Sequence, residues 1–135
     1  MGRNTLASGY HATAFGMGTQ SEAWYSTTLG QGTVASSRTE TVIGSFKTLY
    51  TPLGGSRDWD TLDRLFVVGN GTGSSTASRT NALVMFKNGN TEVNGIWTGP
   101  GFTIRSDPNT KLKKSRIKKA SNKVLQLTPY QFENK

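Results

Sequence analysis

The sequence contains TAFGMGT at residues 13–19, TTLGQGT at 27–33 and TVIGSFK at 41–47, three versions of one pattern that recurs every 14 residues. In each version a threonine stands two positions ahead of an apolar residue, which glycine follows. A fixed short period predicts stacked repeats, because a single repeat of this length cannot bury an apolar face alone. Weaker matches extend the pattern over residues 1–47.

The length of one repeat predicts its structure. Fourteen residues accommodate two strands of about five residues and two tight corners, at ~3.3 Å of rise per strand residue. The threonines, valines and isoleucines favour strands, whereas the glycines favour corners with positive φ. Only small side chains fit inside, so Ala7, Ala12, Ala14 and Ala35 are predicted interior residues. The predicted class is all-β, a parallel β-roll or solenoid; a disordered linker is disfavoured because the apolar residue recurs in register.

The segment NTLASGYHATAFG, residues 4–16, resembles the head repeats of trimeric autotransporter adhesins and related tail-fibre proteins. The resemblance covers residues 1–47 and implies left-handed parallel β-rolls packed three around an axis. In the third repeat, Arg38, Glu40 and Phe46 depart from the residues of the second repeat, which indicates that the array ends there.

The composition favours burial between copies of the chain. Only 33% of the 135 residues are hydrophobic and 16 are glycine, which is lean for a monomer with its own core. Cysteine is absent and His11 is the only histidine, so no metal site and no cofactor are predicted, and His11 is interpreted as a surface residue. No apolar stretch approaches the ~20 residues that span a bilayer, so no membrane insertion is expected.

The beginning of the chain carries no secretory signal and starts in mid-repeat. We therefore expect the distal part of a longer fibre, or a cap on another protein. A signal-free fibre favours a virion or phage-like particle as its location. A bacterial extracellular surface is the alternative, and it would require a signal upstream.

Residues 48–104 are predicted to form a strand-rich neck. An apolar run at 65–69 predicts a buried strand, and KNGN at 87–90 between apolar stretches predicts a β-hairpin. Residues 62–95 resemble the segment that joins head repeats to a C-terminal chaperone in fibre proteins. Further short strands are expected at 96–97 and 102–104.

The candidate receptor contacts are four large aromatic residues: Tyr10, Trp24, Tyr25 and Trp59. Trp24 and Tyr25 occupy the places that Tyr10 and His11 hold one repeat earlier, and the interior of the repeats does not need them. Trp59 lies among polar and charged neighbours. Two interpretations of Trp59 are open, a plug for the end of the roll, which is favoured, and an exposed contact with a glycan or receptor.

Residues 105–135 carry most of the positive charge. They hold nine basic and two acidic side chains, so they contribute +7 to the net charge of +8. A nucleic-acid partner is disfavoured because aromatic residues do not interleave with the basic ones. The apolar positions Leu112, Ile117 and Val124 instead predict a short helix.

The same tail resembles the start of the intramolecular chaperone family at the ends of endosialidases and other phage fibres. The matching residues are Ser106-Asp107, KLK at 111–113, KVLQL at 123–127 and TPYQF at 128–132. The resemblance implies a chaperone that assembles the trimer and then cuts itself away at the Ser-Asp bond.

Carried over to this chain, Ser106 is the nucleophile and Lys111 or Lys113 its base. Two departures disfavour activity, since residues 108–110 lengthen the gap before the basic motif and the chaperone is incomplete. We therefore expect a vestigial segment that does not cleave, and not an enzyme. A helix N-cap is the alternative role of Ser106-Asp107.

These patterns predict a homotrimeric fibre, with head repeats at 1–47, a hairpin neck at 48–104 and a chaperone-like segment at 105–135. The predicted function is that of the structural and adhesive distal segment of a phage or phage-like tail fibre. Its partners are a host cell-surface glycan or protein and an upstream fibre or baseplate component. The alternatives are a bacterial trimeric surface adhesin head, a fibre precursor with a self-cleaving chaperone, and a nucleic-acid-binding particle protein.

Overall fold

The computed structural model describes residues 2–96. These residues form nine strands and one turn of 3-10 helix, Thr76–Ser78, so the all-β prediction is confirmed for this part of the chain. The predicted C-terminal helix and the strands expected at 97 and beyond lie outside the described residues. The strands are β1 Leu6–Ala7, β2 Thr13–Met17, β3 Gln20–Ser21, β4 Thr27–Gln31, β5 Val34–Ala35, β6 Thr41–Ser45, β7 Arg64–Asn70, β8 Asn81–Phe86 and β9 Thr91–Val93.

The repeats alternate between two sheets. One sheet has the order β1-β3-β5 and the other the order β2-β4-β6-β7-β8-β9. Thr13 pairs with Thr27 and Thr27 with Thr41, all in parallel, so each repeat lies beside the next at the 14-residue spacing that the sequence predicts. The second strand of each repeat has two residues rather than the expected five, because the corners take up more of the 14 residues.

Two columns of corners connect the sheets. At one corner the left-handed residues are His11, Tyr25 and Thr39, with φ of 54°, 59° and 60°. Each corner is bonded to its neighbour, since the Tyr25 N–H donates to the Tyr10 carbonyl and the Thr39 N–H to the Trp24 carbonyl, both at 2.8 Å. Residues other than glycine therefore adopt the left-handed conformation at this corner. The expected glycines serve the opposite corner, at Gly18 and Gly32.

A second set of glycines allows the repeats to approach each other closely. Gly16, Gly30 and Gly44 are paired in register across β2, β4 and β6. A Cβ atom on Gly30 would lie 1.9 Å from the Gly44 carbonyl oxygen, and one on Gly16 would lie equally close to Gly30. Only glycine fits such contacts, which explains the glycine that follows each apolar residue of the repeat.

The interior is narrow and partly polar. Thr28, Val42, Val67 and Val84 form one buried row across β4, β6, β7 and β8. Small hydroxyl side chains fill much of the remaining space, and the Ser21 and Ser26 hydroxyls share a 2.7 Å hydrogen bond. Of the alanines predicted inside, Ala35 is fully buried, whereas Ala7 is exposed and Ala12 and Ala14 are half-buried.

A buried ion pair fills the interior at the third repeat. Glu40 and Lys47 stand one repeat after Ser26 and Thr33, and their Oε1 and Nζ atoms are 2.6 Å apart. Both side chains are fully buried. The other carboxylate oxygen of Glu40 accepts hydrogen bonds from the Ser36 and Ser37 N–H groups. Two large charged residues thus replace two small hydroxyl residues at once, and each neutralises the other.

The chain then continues the larger sheet. Strand β7 pairs in parallel with β6, and β8 and β9 follow in antiparallel fashion. The hairpin predicted at KNGN is confirmed, with Gly89 at φ 88° and the Phe86 N–H donating to the Asn90 carbonyl at 2.8 Å. Arg79 attaches the β7–β8 connection to the repeats, because its guanidinium donates to the carbonyls of Gly32 and Lys47.

Candidate functional site

An aromatic cluster covers the His11–Tyr25 corner. Tyr10 and Trp24 precede the two left-handed corner residues, and the 14-residue register places each pair directly beside the other. The centroids of Tyr10 and Trp24 are 5.6 Å apart, and those of His11 and Tyr25 are 5.7 Å apart with the rings nearly parallel. Tyr10 also packs edge-on against His11 at 4.0 Å. The structure thus brings together three of the four aromatic residues predicted as receptor contacts.

Two arginines complete this cluster, which we call the aromatic corner: Tyr10, His11, Trp24, Tyr25, Arg38 and Arg57. The Arg38 guanidinium lies 5.5 Å from the Tyr25 ring centroid, and that of Arg57 lies 5.5 Å from the Trp24 ring centroid. Both contacts are within the range of cation–π attraction. The loop that carries Arg57 is tied to the corner, since the Trp24 N–H donates to the Ser56 carbonyl and Arg38 Nη1 to the Arg57 carbonyl.

Much of the aromatic corner faces solvent. Tyr10 is 56% exposed and Tyr25 43% exposed, and Arg57 and His11 are exposed as well. Trp24 and Arg38 are half-buried and anchor the cluster. The cluster therefore combines flat apolar rings with guanidinium donors at a surface position, which is an arrangement suited to binding.

Trp59 lies apart from these stacked rings. It is 52% exposed, so the interpretation of Trp59 as a plug is wrong; Glu40 and Lys47 occupy the interior instead. The Lys87 Nζ atom lies 4.9 Å from the Trp59 ring centroid and 3.9 Å from Asp63 Oδ2. Burial lowers the pKa of Lys87, and the neighbouring Asp63 carboxylate opposes that change. The Asp63 carboxylate also accepts the N–H groups of Leu53 and Gly54, which shapes the Trp59 loop.

A second surface is apolar. One row of side chains crosses all six strands of the larger sheet on the face opposite the buried row, and consecutive members are paired in register. Phe15 is 53% exposed and Leu29 39%, while the central members are half-buried. We call this the outer row: Phe15, Leu29, Ile43, Val68, Leu83 and Val93. Within residues 2–96 nothing covers it fully.

The remaining site predictions have different outcomes. The proposed cleavage residues Ser106, Lys111 and Lys113 lie outside the described residues. Among residues 2–96, no group of three histidine or acidic side chains is placed to hold a metal ion. In the same part of the chain, no helix has the length and apolarity needed to cross a membrane.

Comparison with known proteins identifies no relative: no protein-family model, curated protein or solved structure matches the chain.

Sequence reasoning missed the two arginines of the aromatic corner. Arg38 stands one repeat after Trp24, so the period itself places it in the same column, but it was interpreted only as a sign of the array's end. Arg57 reaches the corner from a loop outside the repeats. No periodic signal could have located it.

Proposed function

We propose that this chain is the structural and adhesive distal segment of a trimeric phage or phage-like tail fibre. Its 14-residue repeats form one β-roll per subunit, and three subunits pack around an axis. The observation that carries the proposal is the outer row, an apolar line on the repeat sheet that a lone subunit leaves partly exposed. Contiguous apolar surface that faces solvent is typical of interaction sites.

The outer row fits a partner with the same repeat. Its spacing follows the strands of the sheet, so a copy of the chain presents apolar residues at the same intervals. A polar partner would leave Phe15 and Leu29 without apolar contacts. Burial of the row between sister subunits also supplies the core that the lean composition lacks.

The aromatic corner supplies the adhesive role. It lies on a corner of the repeats and not on the outer row, so packing through the outer row leaves it available to a host-surface glycan or protein. Three copies of a modest site on one particle bind a repetitive surface through avidity. Strong binding by any one corner is therefore unnecessary.

The mass of the native assembly tests this proposal. Light scattering on the full chain is expected to give three copies of the 14.6-kDa chain. A monodisperse monomer would contradict the fibre. A trimer would support it and leave the choice between phage fibre and bacterial surface adhesin to the genomic context.

A further inference from the structure

We infer that the aromatic corner binds an acidic glycan, a carbohydrate that carries carboxylates. This deepens the proposed function, on which it rests, by naming the class of ligand that the corner recognises. Four features of the corner favour such a ligand: its rings, its arginines, the charge of its surroundings and its rigidity.

The rings provide flat apolar surface at the right scale. Pyranose rings present C–H groups on one face, and aromatic side chains with a polar edge are well suited to cover them. Tyr10 is 56% exposed, more than Tyr25 and Trp24, and His11 beside it is also exposed. Trp24 and Tyr25 support these two rings from the next repeat, at 5.6 Å and 5.7 Å. The aromatic corner thus offers a row of adjacent rings along which an oligosaccharide can lie.

The two arginines favour a ligand that carries negative charge. In the part of the chain that the structure describes, no carboxylate lies within 4.0 Å of either guanidinium, since the ion pairs there involve Lys47 and Lys87. Arg38 uses one donor on the Arg57 carbonyl, and the other donors of both groups remain for a ligand. Guanidinium groups bind carboxylates with two parallel hydrogen bonds, a geometry that a neutral hydroxyl cannot match.

The surroundings disfavour a nucleic acid at this corner. Residues 2–96 contain seven basic and six acidic side chains, a net charge of +1. Glu22 and Asp58 are close in sequence to Trp24 and Arg57. A phosphate backbone needs an extended basic surface, whereas a glycan with spaced carboxylates needs only local cationic groups.

The corner is also held in place before any ligand binds. The backbone bonds from Tyr25 to Tyr10 and from Trp24 to Ser56 fix the rings relative to the Arg57 loop. Arginines resting on aromatic faces lose less side-chain freedom on binding than free ones do. Such preorganisation favours measurable binding by a small site.

The test is a glycan array that displays uronic-acid, sialylated and neutral oligosaccharides, followed by titration of the tightest-bound one. We expect binding to carboxylated glycans. Tyr10→Ala is expected to weaken the titrated affinity about tenfold. Arg57→Gln is expected to reduce the preference for carboxylated over neutral glycans by about tenfold as well.

Leu62→Ala is the control, because it removes a large side chain that is 60% exposed and is not part of the corner, and it is expected to leave affinity unchanged. Binding to neutral glycans alone, no binding to any glycan, tighter binding to single-stranded DNA, or an equal loss in Leu62→Ala would each overturn the inference. Circular dichroism establishes that the variants are folded. Light scattering on the same samples separates the two proposals. A trimer that does not bind acidic glycans contradicts only this inference. A monomer that binds them through the corner contradicts only the trimeric fibre.

Discussion

Individual residues decide whether neighbouring repeats can approach each other. Gly16, Gly30 and Gly44 are the clearest case, because a Cβ atom added to any of them would overlap the carbonyl oxygen of the glycine paired with it on the next strand. The buried Glu40–Lys47 pair is the second, since it places two charges where earlier repeats hold hydroxyl groups.

Gly30→Ala is expected to destabilise the fold by about 3–5 kcal/mol, because it combines a clash with positive φ strain. The new Cβ would lie 1.9 Å from the Gly44 carbonyl oxygen, at a φ of 118°. Gly55→Ala is the matched control, since φ is 63° there but no atom lies within 4 Å of the added Cβ. It is expected to cost about 1–2 kcal/mol through backbone strain alone. Urea unfolding measures both, and equal costs would disprove the close-approach argument.

Single substitution of the buried ion pair is expected to cost about 3–5 kcal/mol, because it leaves one charge buried without a partner. Glu40→Ser and Lys47→Thr install the residues that stand one repeat earlier. The double substitution is expected to cost clearly less than the sum of the two singles. Unfolding of the four proteins forms a double-mutant cycle, and additive costs would show that the charges do not depend on each other.

At the scale of elements, the segment between β6 and β7 is held against the start of β7 by Tyr50. Its hydroxyl accepts the Arg64 N–H at 3.3 Å, and its ring lies 4.1 Å from the Arg64 guanidinium carbon. Burial, with a further contribution from the Glu40 carboxylate, raises the pKa of Tyr50 from 10.0 to about 12. The link between β6 and β7 should therefore respond to alkaline pH.

The sign of this response follows from the direction of the pKa change. Because the pKa is higher in the folded protein, the unfolded chain loses its proton first as pH rises. The stabilising contribution is complete below pH 10 and is lost as pH rises from about 10 to about 12. Tyr50→Phe removes the titrating group, so its free energy of unfolding should fall less across this interval than that of the unmodified protein. Parallel curves from pH-dependent urea unfolding would contradict the assignment.

At the scale of the whole molecule, the outer row is the apolar surface that a lone subunit leaves partly exposed. Leu29→Arg places a charge at a position that is 39% exposed in the subunit and central to the proposed trimer contact. We expect a folded protein that scatters light as a monomer, because a charge inserted between apolar faces is costly to desolvate. Thr72→Arg is the control, an exposed residue of the β7–β8 connection, and it should leave three copies associated. An assembly unaffected by Leu29→Arg would place the interface elsewhere.

Much of the repeat structure could be predicted from sequence, because its signal is local and periodic. Residues equivalent to Thr13, Phe15 and Gly16 recur every 14 positions. When such repeats pair in parallel, equivalent residues lie opposite each other, so the interval predicts the register. The KNGN hairpin was predictable for a similar reason, since an Asn-Gly turn acts on its immediate neighbours.

Only the tertiary structure decided how distant segments meet. The role of Lys47 depends on Glu40 across the interior, and the contact of Arg57 with Trp24 depends on a loop that no period places. The sequence favours Trp59 as a plug for the end of the roll over an exposed contact, but the structure leaves this side chain 52% exposed and buries the Glu40–Lys47 ion pair in the interior. The sequence by itself determined the 14-residue spacing of the repeats, their register and the KNGN hairpin. The period places the rings of the corner and Arg38 in register, whereas the interior ion pair and the contact of Arg57 depend on three-dimensional contacts between residues that share no periodic signal.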